Sequence, residues 1–385
     1  MRFPEFTGEW EKFGFADHLE RLENGANYDT NATEGLPMSR IETISSYNIN
    51  YDKVGHCNSR NIEHYKMKYG DILFSHINSM SHIGKTAYYY AEQPLYHGMN
   101  LLLIRCKDNL NSLFFYYLLN TPLFLRYCQI YAKQAVNQAS ISTSDIKRIK
   151  LSLPTLHEQN KIASFISVID QRIATQNKII QHLESLITGI TQSVVHDNAT
   201  QKVLLGDILT EKDEKNIENH DVYSVSVSEG VINQIDYLGR SFAAKETKNY
   251  NVVEYGDIVY TKSPTGSFPY GIVKQSYIKD KAAVSPLYGV YKPVSFEVGY
   301  YLHHYFTSPI YTMNYLYKLI QKGAKNTINI TNQHFLKNYI PLPSSEVLDK
   351  YGTLVSTVTL KLENEKQILE KFKEQKKYLL SQMFI

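Results

Sequence analysis

The stretch IASFISVIDQRIATQNKIIQHLESLITGITQSVV, residues 162–195, decides the fold because its apolar residues recur in heptads. Steps of four and three residues alternate throughout, which is the 3.5-residue period of a coiled-coil seam rather than the wider stripe of a surface helix. The seats of this seam are Ile162, Ile166, Ile169, Ile173, Gln176, Ile180, Leu183, Ile187, Ile190 and Val194. We therefore predict one long helix that needs a second helix to cover its seam.

A stretch near the end of the sequence repeats this seam 189 residues later. Its seats are Tyr351, Val355, Val358, Leu362, Glu365, Leu369, Phe372, Lys376, Leu379 and Met383. A helix of about forty residues is about 60 Å long, so neither helix can bury its seam against one small domain. We predict that the two helices pair as an antiparallel coiled coil. Gln176 and Glu365 occupy the same seat, where a polar residue either fixes the register or is tolerated near solvent.

Other segments repeat in the same order. YGDI occurs at 69–72 and at 255–258, and ISTSDIKRIKLSLP (141–154) has a partner in ITNQHFLKNYIPLP (330–343). Such matched segments at nearly one offset indicate an internal duplication. Each copy is predicted to hold short strands mixed with helices, followed by its long helix. The prediction is thus an α+β protein with a pseudo-twofold repeat: globular blocks at 1–153 and 197–342, and coiled-coil helices at 154–196 and 343–385.

The composition is that of an ordinary globular protein. The 385 residues are 43% hydrophobic and 21% charged, with a formal net charge of +3. This balance excludes a disordered chain. So small a charge also means that any nucleic-acid surface must be local. The 31 tyrosines reflect either codon usage or a recognition surface.

The sequence contains no membrane or disulfide signal. No run of 18 apolar residues occurs, and the opening MRFPEFTGEWEKF lacks the apolar segment of a secretory signal. Cys57, Cys106 and Cys128 form no CxxC pair, so neither a disulfide framework nor a zinc site is expected. We therefore expect a cytoplasmic protein with no membrane partner and no metal site.

Motifs of catalysis are missing as well. IGKT at 83–86 resembles the end of a phosphate-binding loop, but Ser79 stands where that loop needs glycine, and the following AYYY favours a strand. SPTG at 263–266 lacks the Asn-Pro-Pro-aromatic pattern of amino-group methyltransferases, and neither HExxH nor GxSxG occurs. His303 and His304 diverge on a helix, so we expect partly exposed polar residues rather than a metal pair. We expect no catalytic residue and no cofactor in this chain.

Two acid-poor stretches suggest a surface for nucleic acid. Asp145 is the one acid between Asp108 and Glu158, and the matching stretch between Glu297 and Glu346 has none. Each stretch contains a polar loop, at 133–140 and at 322–329, in which lysines can neutralise phosphates and amides can pair with adenine edges. The alternative is a chance absence of acids. The candidate residues are Lys133, Gln134, Asn137, Gln138, Lys322, Lys325, Asn326 and Asn329.

The loops that follow YGDI are the second set of candidates. They hold equivalent places in the two copies but differ almost completely in sequence. Divergent loops on a duplicated scaffold fit readers of two different DNA half-sites, whereas ordinary loop drift is the alternative. The candidate residues are Ser75, His76, Asn78, Lys85, Lys262, Ser263 and Thr265.

These segments resemble a known family. FPEFTGEW (3–10), both YGDI segments and, most specifically, LSLPTLHEQNKIASFISVIDQRI (151–173) are similar to the specificity subunit of a type I restriction–modification system. The resemblance covers essentially the whole sequence. The second helix, beginning PLPSSEVLDKYGTLVSTVTLKLENE (341–365), departs from the family pattern because it lacks the Glu158-Gln159 pair.

The resemblance implies a function without chemistry in this chain. Two target-recognition domains would each read one half of a bipartite site in double-stranded DNA, while the helices set the gap and dock two modification subunits. Those subunits would use S-adenosylmethionine to methylate adenine N6 on a flipped base. Restriction subunits would add ATP- and Mg-dependent translocation and cleavage.

Three other interpretations stay open on the sequence. The first is the recognition subunit of a related bifunctional restriction enzyme, which a neighbouring fused methylase–nuclease gene would indicate. The second is a coiled-coil scaffold that binds protein alone and has no salt-dependent DNA affinity. The third is a stand-alone methyltransferase, which would need a cofactor site.

Overall fold

Two units make up the chain in the computed structural model, which describes residues 2–27, 32–45, 48–58, 61–134, 138–241, 243–244, 246–322 and 328–384. The first unit comprises Met1–Asn177 with Ile368–Ile385, and the second comprises Lys178–Gln367. Each long helix therefore contributes to both units. The sequence-based prediction instead placed the helices in separate segments, 154–196 and 343–385.

The first unit mixes short strands with helices, as expected for the α+β class. Its strands are β1 (Glu11–Gly14), β2 (Leu19–Asn24), β3 (Leu36–Met38), β4 (Ile44–Ser45), β5 (Asn48–Ile49), β6 (Gly55–Cys57), β7 (Ile72–Phe74), β8 (Ile77–Asn78), β9 (Thr86–Tyr88), β10 (Leu102–Cys106), β11 (Lys133–Gln134), β12 (Ala139–Ser140) and β13 (Lys150–Leu153). Its helices are α1 (Ser112–Leu119), α2 (Pro122–Tyr131), α3 (Thr143–Arg148) and the first part of α4 (Leu156–Val195). Short 3₁₀ turns lie at Ile41–Thr43, Tyr51–Lys53 and Glu63–Tyr65.

The second unit has the same kind of elements. Its strands are β14 (Gln201–Leu204), β15 (Leu209–Glu211), β16 (Tyr223–Ser226), β17 (Gly230–Asn233), β18 (Asn251–Val253), β19 (Ile258–Tyr260), β20 (Val273–Gln275), β21 (Ala282–Val284), β22 (Gly289–Pro293), β23 (Gln321–Lys322), β24 (Ile328–Asn329) and β25 (Tyr339–Leu342). Its helices are α5 (Leu205–Ile208), α6 (Gln234–Leu238), α7 (Phe296–Tyr305), α8 (Pro309–Tyr317), α9 (Asn332–Phe335) and most of α10 (Ser345–Gln382).

A four-stranded antiparallel sheet is repeated in the two units. Its order is β2-β10-β7-β9 in the first unit and β15-β22-β19-β20 in the second. The central strands are buried, and the main core of the first unit is rich in leucine, isoleucine and phenylalanine, with Phe74 edge-on to Phe124 at a ring-centre distance of 6.2 Å. The shared strand order agrees with the duplication inferred from the sequence and confirms the predicted α+β class.

The YGDI motif is explained by a tight turn before a buried strand. Gly70 has φ +91° and Gly256 has φ +87°, a backbone conformation that glycine adopts without strain. In the first copy the carboxylate of Asp71 accepts a hydrogen bond of 2.7 Å from the backbone N–H of Lys68. In the second copy Asp257 accepts the equivalent bond, of 2.8 Å, from the N–H of residue 254. The motif therefore has a structural role in both copies.

Proline boundaries also repeat. Thr121 and Ser308 cap α2 and α8, and Pro122 and Pro309 occupy the first turn of those helices, where a missing N–H costs nothing. The helices before them, α1 and α7, end at Leu119 and Tyr305.

The long helices run antiparallel within each unit. In the first unit Asp170 of α4 pairs with Lys376 of α10 at 2.6 Å, and the guanidinium of Arg172 lies 5.9 Å from the ring centre of Phe372. In the second unit Glu184 pairs with Lys366 at 3.1 Å, while Thr191 and Tyr351 share a hydrogen bond of 2.9 Å. In both cases higher numbers on α4 meet lower numbers on α10.

The predicted seam residues line this pairing. Every predicted seat is buried or half-buried, whereas most residues between the seats are exposed. The candidate seats that are buried are Ile162, Ile166, Ile169, Gln176, Ile180, Val355, Leu362, Glu365 and Leu369. Ile173, Val358 and Phe372 are half-buried. The polar seats Gln176 and Glu365 are each 6% exposed, so both lie in the seam rather than near solvent.

Candidate nucleic-acid interface

The two candidate loops of the first unit form one small sheet. Strands β11 and β12 make a hairpin, and β8, from the loop after YGDI, pairs with β12. In this register Gln134 lies opposite Ala139, which in turn lies opposite Asn78. Segments about 60 residues apart in sequence therefore meet in a three-stranded sheet, which we call the reader sheet.

The reader sheet exposes basic and amide side chains. Lys133, Gln134 and Gln138 are exposed. Lys133 and Gln134 are successive strand residues, so their side chains point to opposite faces. Lys133 forms no ion pair with any residue that the structure describes, so its charge is available for a phosphate. Asn137 lies outside the described residues.

Two of the predicted contact residues lie beneath this surface. Ser75 is 1% exposed and His76 is 7% exposed, so neither side chain is presented to a ligand. The Ser75 hydroxyl accepts a hydrogen bond of 3.2 Å from the amide of Asn78, and the backbone carbonyl of His76 accepts one of 2.9 Å from Ile141 N–H. Both residues therefore support the reader sheet from below. Asn78 and Lys85 are half-buried.

Burial also decides the charge of His76. It lowers the pKa of this imidazole to about 4, so the ring is neutral at pH 7. His76 therefore adds no positive charge to the surface, contrary to what a polar loop suggests from sequence alone.

The second unit is built differently at the equivalent place. Strands β23 and β24 pair as a hairpin, with Lys322 on the first strand and Asn329 on the second. Among the described residues of this unit, no strand from the loop after YGDI joins the hairpin. Lys325 and Asn326 lie outside the described residues.

The loop after the second YGDI is closed on itself. Thr265 exchanges backbone hydrogen bonds with Phe268, at 3.0 and 2.9 Å, and both Ser263 and Thr265 are exposed. Lys262 is half-buried, and burial lowers the pKa of its ammonium group below the ordinary value. It makes no ion pair within the described residues.

Aromatic residues beside the hairpins were missed by the sequence reasoning. Tyr317 is 66% exposed at the end of α8, just before β23, and its ring centre lies 6.5 Å from that of Tyr270 in the loop after YGDI. In the first unit Ile130 and Tyr131 are exposed at the end of α2, just before β11. The sequence signal that could have identified these aromatic and apolar residues is their position directly before the acid-poor loops.

The structure agrees with the rejection of a nucleotide site. Thr86 begins strand β9, so no helix follows IGKT to supply an anion-binding N-terminus.

His303 accepts a hydrogen bond of 3.0 Å from the backbone N–H of Gln275, and burial lowers the pKa of both His303 and His304. Among the described residues no three His, Cys, Asp or Glu side chains come together as metal ligands. In the same part of the chain, no helix is long and apolar enough to cross a membrane.

Comparison with known proteins points in one direction. The family model of the type I restriction modification DNA specificity domain matches residues 9–185. A curated protein of Methanocaldococcus jannaschii, which carries the name type I restriction enzyme MjaX specificity subunit, is 39% identical over 217 residues. That match covers 53% of this chain and 51% of the relative, so the chain spans about half the length of the curated relative it matches.

Solved structures share the fold over the full length. The S subunit of a type I restriction-modification system from M. genitalium matches with a TM-score of 0.59 at 15% identity, covering 100% of this chain and 99% of that one. A chain from a study of complex assembly and conformational transition of the type I R-M system matches with a TM-score of 0.53 at 13% identity, covering 98% of this chain and 97% of that one. At these identities the matches establish the fold.

Proposed function

We propose that the chain is a type I restriction–modification specificity subunit, a proposal that its similarity to that family supports. It would read a bipartite site in double-stranded DNA, with one unit for each half-site. The observation that carries the proposal is the reader sheet, in which two divergent polar segments converge and expose Lys133, Gln134 and Gln138. The β11–β12 hairpin of this sheet is a two-stranded ribbon, which fits the major groove of B-DNA. The β23–β24 hairpin takes the equivalent part for the second half-site.

The side chains of the reader sheet divide naturally between affinity and specificity. Lysine neutralises phosphates without regard to sequence, and the amides of Gln134 and Gln138 have the donor–acceptor pair that matches an adenine edge. The lysine therefore positions the protein, and the glutamines select bases.

The long helices supply the dock for two modification subunits. A second apolar stripe runs along them, each member one residue before a seam seat and each at least 37% exposed. Its members are Phe165, Val168, Ile179, Leu186, Leu354, Ile368 and Tyr378. Phe165 and Leu354 are equivalent by the 189-residue repeat, as are Ile179 and Ile368. A stripe of exposed apolar side chains marks an interaction surface. Its presence in both copies fits two modification subunits that bind at equivalent places.

The chemistry belongs to the partner subunits in this proposal. The modification subunits bring S-adenosylmethionine and methylate adenine N6, while restriction subunits bring ATP and Mg for translocation and cleavage. This chain is then a non-catalytic component that selects the DNA sequence.

The test is single-molecule sequencing of N6-methyladenine in DNA from cells with and without this chain. We expect methylation to disappear at one split motif when the chain is removed, which would also reveal both half-sites. Methylation that is unchanged at every motif would contradict the proposal.

A further inference from the structure

Asn24, which is exposed, and the buried His76 form a hydrogen bond next to the reader sheet. Asn24 is the last residue of β2, and its Nδ2 donates a hydrogen bond of 2.8 Å to the carbonyl of Met99. The same nitrogen lies 3.2 Å from Nε2 of His76. Because the bond to a carbonyl fixes which end of the amide carries the hydrogens, Nε2 of His76 must accept the second one. His76 is thereby assigned as the neutral tautomer with its proton on Nδ1.

The backbone of His76 passes this link on to the reader sheet. Its carbonyl accepts the hydrogen bond from Ile141 N–H, and the next two residues, Ile77 and Asn78, form β8. Ile77 lies opposite Ser140 of the hairpin. His76 thereby connects Asn24, through its ring, to β8, which pairs with the strand that lies opposite Gln134.

We infer that Asn24 and His76 are positioning residues for recognition of the first DNA half-site. The inference rests on the proposed function and adds that DNA selection by Gln134 and Gln138 depends on the hydrogen bond between the exposed Asn24 and the buried His76. Recognition groups must be held within about 0.5 Å of their working geometry, and β8 itself is only two residues long.

Among its described residues, the second unit has no such hydrogen bond at the equivalent place. The position equivalent to His76 is Lys262, two residues after the buried strand β19. Its ammonium group interacts electrostatically with Glu211, the last residue of β15, but forms no hydrogen bond or ion pair with the described residues. The inferred effect is therefore confined to one half-site, which separates it from a general loss of stability.

Three variants isolate the link. His76→Leu removes the acceptor while keeping a similar volume, and Asn24→Ala removes the donor. His76→Gln offers an amide oxygen close to the place of Nε2 and is the conservative rescue. Leu95→Val is the matched control, because Leu95 is fully buried in a separate core cluster of the same unit and its loss of one methylene mildly destabilises the unit.

The experiment measures the methylated motif in cells in which the full chain is replaced by each variant. We expect His76→Leu and Asn24→Ala to raise methylation at sites mismatched in one half-site by about tenfold relative to wild type, the value of one hydrogen bond. The other half-site should keep its sequence, and the affected half-site should be the one that Gln134→Ala also changes. His76→Gln and Leu95→Val should leave both half-sites as in wild type.

Different failures have different meanings. Equal relaxation of both half-sites, a fall in total methylation with an unchanged motif, or no rescue by His76→Gln would overturn the positioning role and leave the proposed function standing. If wild-type cells show no methylation that depends on this chain, the proposed function itself is overturned, and the inference with it.

Discussion

The guanidinium of Arg105 donates two hydrogen bonds of 2.7 Å to the carboxylate of Asp71, the aspartate of the first YGDI motif. Both residues are buried, at 8% and 1% exposure. In the second copy the equivalent Asp257 lies 3.3 Å from Nζ of Lys212 instead. Arg105 lies in β10, whereas Lys212 follows β15. The two copies therefore neutralise equivalent aspartates with cations from strands that are not equivalent.

We expect Asp71→Asn to lower the free energy of unfolding of the first unit by about 3 kcal/mol, because it leaves the Arg105 charge buried without its partner. Hydrogen exchange of amides in the two units measures this selectively. Asp257→Asn is the matched variant and should destabilise the second unit by less, since its partner is a single, more distant ammonium group. Equal losses in both units would contradict the importance of the bidentate geometry.

We expect the stability of the first unit to fall between pH 6.5 and pH 4. Burial lowers the pKa of His76 and of His97 to about 4, while both titrate near 6.5 when unfolded. Below pH 6.5 these two imidazoles bind protons in the unfolded chain but stay neutral in the folded unit. Unfolding therefore becomes more favourable as the pH falls, until the pKa of the folded state is reached. Chemical denaturation at several pH values measures this slope. His76→Gln should reduce it, and an unchanged slope would contradict the buried neutral state.

We expect Lys133→Ala to weaken DNA binding similarly on all sequences and to lower the slope of log affinity against log salt by about one. The reason is that an exposed lysine without an ion-pair partner among the described residues releases one counterion when it meets a phosphate. Lys53→Ala, an exposed lysine outside the reader sheet, is the control and should leave the slope unchanged. A sequence-selective loss at constant slope would show that Lys133 reads bases.

We expect Ile179→Ser combined with Leu186→Ser to weaken binding of the modification subunit by about a hundredfold, because truncating two central apolar contacts removes most of the energy of such a patch. Ile310→Ser combined with Leu287→Ser is the control, since these residues of the same unit are even more exposed but lie off the stripe. The mass of the complex by light scattering distinguishes the two pairs. Equal weakening by both pairs would contradict docking on the helices.

Much of the fold could be predicted because its signals are local. The heptads around Ile166 and Val355 depend on helical period alone, and the YGDI turn depends on the left-handed conformation of Gly70 and Gly256. Each of these patterns needs only the residues within one element.

The reader sheet could be predicted only in part. The acid-poor loop and the loop after YGDI were both candidates, but their joining through Ala139 and Asn78 depends on a pairing across about 60 residues. Ser75 and His76, which directly precede β8, are buried. The identity of a polar loop residue does not show whether its side chain is buried and supports the sheet or is exposed and contacts DNA.

The sequence by itself determined the duplication, the α+β class, the two helices and their seam, because period and turn chemistry act over a few residues. The tertiary structure alone decided which cation meets Asp71, that β8 joins the hairpin of the first unit, and that Asn24 holds His76 beneath it. Those outcomes depend on distances between residues far apart in the chain, which are set only when the sheet and core have packed.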